Sequence, residues 1–117
     1  MALNNNLETG SQINLNQNEI RRAEQIRTAL QTYAKMLVDA GMVVNWANSE
    51  GCEYTPRLIV DDKLDLVLIT DGRVSGKFWY IEDQTLKDQI RAILGDKVKF
   101  ADYCFDIGMP SIGDPVF

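Results

Sequence analysis

The 117-residue chain contains no histidine, which removes the commonest general base and the usual activator of serine or cysteine nucleophiles. Cysteine is scarce too. Cys52 and Cys104 lie far apart with no CxxC spacing, so no zinc site and no cofactor is expected. No apolar run approaches the ~18 residues needed to cross a bilayer, and the start MALNNNLETG has neither a basic nor an apolar leader segment. The expectation is a cytoplasmic protein, or one inside a particle assembled in the cytoplasm, with reduced thiols. Positive charge is also in the minority, with 12 basic against 17 acidic residues and a formal net charge of −5. That balance argues against membrane and non-specific nucleic-acid partners, while leaving room for a local basic patch.

What is present is an ordinary globular composition, 45% hydrophobic and 25% charged, in a chain long enough for one core. Three parts are expected: a polar arm over residues 1–17, one domain over 18–108, and an extended tail over 109–117. In the domain, Ala23, Ile26, Leu30, Tyr33, Leu37 and Ala40 recur in steps of three and four, the stripe of a long helix over about residues 19–40, stopped at Gly41. A short strand follows at residues 42–46. RLIV at 57–60, LDLVLIT at 64–70 and RVSGKFWYIE at 73–82 then read as a three-strand antiparallel meander, with its two-residue hairpin at Asp71-Gly72. Thr85, with Asp88 three residues on, reads as the cap of a second, short helix ending at Gly95, and KVKFADYCF at 97–105 as a last, bent strand.

These elements make an α+β fold: a long N-terminal helix on a mostly antiparallel sheet of four to five strands, a second short helix and an extended tail. Two helices cover one sheet face. The other face then needs a partner subunit, the arm or the tail. The element order resembles that of small oligomeric folds such as phage tail terminators and type III secretion chaperones, a resemblance of topology that carries no residues over.

Few residues suggest chemistry. Cys52 sits between Glu50 and Glu53, whose charges suppress a thiolate, and Cys104 reads as a core residue. Asp61, Asp62 and Asp65 are the densest carboxylates, but their spacing fits no calcium loop and turn chemistry explains them. In FWY at 78–80, Phe78 and Tyr80 share one strand face with Trp79 on the other. Arg21, Arg22 and Arg27 cluster early in the long helix, either as a solvated face or as a contact for an anion or partner.

The reading is therefore a non-enzymatic protein that self-associates, an interaction or assembly module such as a structural component of a phage or bacterial particle. Met109, Ile112, Val116 and Phe117 are its candidate interface residues, and its partners are copies of itself and another protein. The alternative is a small-molecule binding or sequestering protein. There Arg21, Arg22 or Arg27, with Trp46 or Trp79, would hold an anionic, nucleotide-like ligand at a subunit interface.

Overall fold

The computed structural model describes residues 17–48, 55–104 and 112–117, so residues 1–16 of the arm, Cys52 and Met109 lie outside the described residues. Helix α1 (Gln17–Asp39) buries Ala23, Leu30, Tyr33, Ala34 and Leu37, the stripe that its three-four spacing dictates. It ends in a Schellman motif. Gly41 adopts φ +93°, its N–H donates to the Val38 carbonyl at 2.9 Å, and the Met42 N–H donates to the Leu37 carbonyl at 3.1 Å.

The chain continues through β1 (Val44–Asn48), β2 (Pro56–Val60), β3 (Leu64–Leu68) and β4 (Val74–Phe78) to helix α2 (Gln84–Leu94). One 3-10 turn at Gly95–Lys97 then leads into β5 (Val98–Phe100). The five strands form one sheet in the order β1-β2-β3-β4-β5. The first four are antiparallel, and β5 runs parallel to β4 because α2 carries the chain back to the starting end of β4. This is the expected α+β arrangement, with its long first helix, open sheet and short second helix. No helix among the described residues is long and apolar enough to cross a membrane.

Strand register sets the core. Val44, Val60, Leu64 and Phe78 align across β1 to β4, and Trp46, Leu58, Leu66, Gly76 and Phe100 align in the next row. These rows pack with Leu30, Leu37, Ile90 and Leu94 in one cluster between sheet and helices. A Cβ at Gly76 would meet the Phe100 ring at 3.1 Å, so the missing side chain is what lets that ring lie on the sheet.

Four local expectations change. The tight turn with two successive positive φ angles falls at Asp61-Asp62, at +50° and +58°, within the three-residue link 61–63, while the β3–β4 connection takes five residues, 69–73, with Gly72 at φ +89°. The N-cap of α2 is Asp83, not Thr85: the Asp83 carboxylate accepts the Leu86 N–H at 3.0 Å. The fourth strand stops at Phe78, so Tyr80 does not share the Phe78 face. The last strand is only three residues long, and Cys104 lies past its end, half-buried against the core.

The tail lies along the edge of its own sheet. Its residues pair along β1 of their own chain: Val116 N–H to the Val44 carbonyl (3.1 Å), Trp46 N–H to the Asp114 carbonyl (2.9 Å), and Gly113 N–H to the Trp46 carbonyl (2.7 Å). Val116 is buried in the chain's own core, because its alternation with Pro115 and Phe117 turns it toward the helices.

Candidate functional site

The sheet face turned away from the helices carries the odd-numbered residues of the strands. Asn45, Ile59, Asp65 and Lys77 form one row across it. Ile59 and Trp79 are buried, and Asp65 is 1% exposed, the only buried charged residue among those described. Its nearest cation is Arg57, with Nε 3.4 Å from Oδ2. Neither Asp65 oxygen nor Arg57 Nε makes a full hydrogen bond. The Trp79 indole N–H also approaches the carboxylate and favours its ionised form, but at looser geometry than a hydrogen bond requires. Burial outweighs Arg57, Lys77 and Trp79 together and pushes the Asp65 carboxyl up from 3.8 to about 6.

Beyond Trp79 the chain makes a γ-turn of the strained hand. Tyr80 has φ +70°, and the Ile81 N–H donates to the Trp79 carbonyl at 3.0 Å. A bulky aromatic residue in this region is an outlier that its surroundings must hold. Two anchors do so here: the Trp79 N–H donates to the Lys63 carbonyl at 2.8 Å, and Lys63 Nζ meets Asp83 Oδ2 at 2.8 Å. That pair, together with the backbone of α2, holds the Asp83 carboxyl below its usual range, while Asp83 holds the Lys63 ammonium above its own. The turn and these anchors border an open groove of about 480 Å³. Tyr80 and Ile81 project from it, 60% and 80% exposed.

The sequence candidates scatter. Arg27 lies over the Trp46 ring at 5.7 Å from its centroid, on the helix side of the sheet, so these two come together. Arg21 and Arg22 are exposed near the start of α1, and Trp79 is buried on the far face. The five therefore build no single site within one chain. Ile112 and Phe117 are exposed, Val116 is buried, and Met109 is outside the described residues. Asp61, Asp62 and Asp65 do not converge either: Asp61 accepts the Val43 N–H, Asp62 is exposed in the turn, and Asp65 points into the covered face. Among the described residues no group of three or more His, Cys, Asp or Glu could hold a metal ion.

Sequence reasoning missed the Tyr80–Ile81 turn, because WYIE reads as more strand and neither glycine nor asparagine marks the positive φ. It also missed the burial of Asp65, whose outward alternation is visible but whose cover is not. No family model, curated protein or solved structure matches this chain.

Proposed function

We propose that the chain is a non-enzymatic interaction module that associates with copies of itself through one end of its sheet. The observation that carries this reading is the placement of exposed apolar side chains. Seven large hydrophobic residues are exposed among those described, and four of them, Val43, Tyr80, Ile81 and Phe117, lie at the same sheet end. Val43 and Phe117 neighbour each other across β1 and the tail, at 61% and 67% exposure. The Asp61-Asp62 turn and Lys63 bridge from there to Tyr80, through Asp61 N–H to the Val43 carbonyl and Trp79 N–H to the Lys63 carbonyl. At ~4.8 Å per strand the rim spans about 19 Å. Isolated exposed apolar residues are normal, but a rim of four with two aromatics is the composition of a contact surface.

Support for the non-enzymatic half comes from the sequence, which has no histidine. Two of the described carboxylates near the rim are committed to structure, Asp83 as a helix cap and Asp61 as a turn brace.

Sedimentation velocity across micromolar concentrations tests the proposal. The full chain is expected to associate, and the double variant Tyr80→Ser, Ile81→Ser to shift toward monomer with its melting temperature retained, since both side chains are exposed. A full chain that stays monomeric throughout, or a double variant with undiminished mass, overturns it.

A further inference from the structure

The charge pattern on the helix-free face concentrates at the β4–β5 edge. Alternation in Val74–Phe78 and in Val98–Phe100 sends Val74, Phe78 and Val98 to the core and Ser75, Lys77 and Lys99 outward. Ser75 lies directly opposite Lys99, and Lys77 is two residues further along β4. Strand spacing and rise put the two lysine Cα atoms about 8 Å apart, within reach of a single oxyanion for two four-carbon stems. Between them Ser75 is short, so the floor drops to a groove of about 360 Å³. The turn after β5 closes one side with Tyr103, whose ring is exposed and carries the Lys77 ammonium at 5.0 Å from its centroid. Ile69 and Ala101 line the remainder with apolar surface.

The neighbouring charges sharpen this picture. Arg73, next along the same face, is committed to Asp71 at 2.7 Å. Lys99 makes no ion pair among the described residues. One carboxylate, Asp102, borders the groove against two ammonium groups. In the lining itself the cations outnumber carboxylates two to one, while Asp65 stands opposite Lys77 and Asp71 acts on Lys99 from just outside.

We infer that this groove binds a phosphate monoester carrying a planar ring. The two ammonium groups and the Ser75 hydroxyl take the phosphoryl oxygens, and the ring lies against Tyr103 and the apolar wall. Two converging point charges suit a compact dianion with several acceptor oxygens, whereas a planar carboxylate is matched better by an arginine fork. The volume falls at the lower end of small-ligand sites, the size of one aromatic ring with its phosphate. The inference is independent of self-association, because the groove lies on a sheet face and not on the apolar rim.

Titration of the ¹⁵N-labelled full chain with phenyl phosphate and with inorganic phosphate tests it. Saturable shifts are expected, confined to residues 75–77 and 99–103, with phenyl phosphate the tighter of the two. Lys99→Ala, at an exposed edge position, should weaken both ligands about tenfold. Tyr103→Ala should weaken phenyl phosphate and leave inorganic phosphate unchanged. Shifts that do not saturate by about 10 mM, or an unchanged affinity in Lys99→Ala, overturn the inference.

Discussion

Asp65 is held at the centre of a sheet face with one imperfect cation contact, and that has a measurable consequence for stability. Its carboxyl titrates near 6 in the fold against 3.8 in the open chain. The folded state therefore binds the proton more tightly, and the stabilisation from this group is complete below about 3.8 and lost as the pH rises through about 6. At neutral pH the ionised group weighs against folding by up to about 3 kcal/mol. Asp71 and Asp83 have lowered values, so their contributions fade on the acid side, below the usual carboxylate range, and the two windows separate. The Asp65→Asn variant should be at least as stable as the parent at pH 7 and should gain on it steadily between pH 4 and 7, read by urea midpoints at matched slope. A parent whose advantage over Asp65→Asn grows with pH in that window would contradict the burial argument. In LDLVL the outward direction of this residue is legible from alternation alone. Its burial is not, since that depends on what the fold lays over the face.

At the scale of elements, the long helix was the most legible feature, because a stripe of six apolar positions over 22 residues admits one geometry. Leu30 is fully buried in the cluster between α1 and the sheet, which also holds Leu58, Leu64 and Leu66, and Leu30→Ala should cost about 2–5 kcal/mol. A loss under ~0.5 kcal/mol in chemical denaturation would mean that the helix does not pack there. The connections were less legible. Asp71-Gly72 carries the stronger tight-turn signature, yet the turn with two positive φ angles falls at Asp61-Asp62, because core pairing of Val60 with Leu64 leaves only three residues to reverse the chain. Asp62 consequently holds φ +58° without a glycine. Asp62→Gly should raise stability by up to about 1 kcal/mol, visible as a later denaturation midpoint. Asp83 combines the α2 cap with the Lys63 pair, so Asp83→Ala should lower stability by about 0.5–2 kcal/mol, mainly through the cap. The cap was misassigned to Thr85 for a plain reason: ED-QT offers several capping side chains in succession, and only the chain path out of the Tyr80 turn selects one of them.

For the whole molecule, the sheet is blunted at both described edges, which constrains how copies can meet. β5 is three residues long. On the other side the tail covers β1, and Pro115 stands opposite Asn45 at the position whose backbone faces outward, where it offers no N–H to an incoming strand. Strand-to-strand addition is disfavoured on both sides, which favours the proposed contact through the apolar rim. The residues of the tail divide between the fold and the proposed contact. Val116 and three backbone hydrogen bonds hold it to the fold, while Phe117 stays exposed beside Val43 at the rim. Deleting residues 112–117 should cost about 3 kcal/mol, the sum of one buried valine and partly compensated hydrogen bonds, a drop on the order of 10 °C in melting temperature. Phe117→Ser should leave melting unchanged and shift the sedimentation profile toward monomer. If the deletion lowers mass without lowering the melting temperature, the tail belongs to a neighbouring subunit and not to its own β1. If Phe117→Ser leaves the mass distribution unchanged, the rim at this corner makes no contact, and association must run through Tyr80 and Ile81 alone.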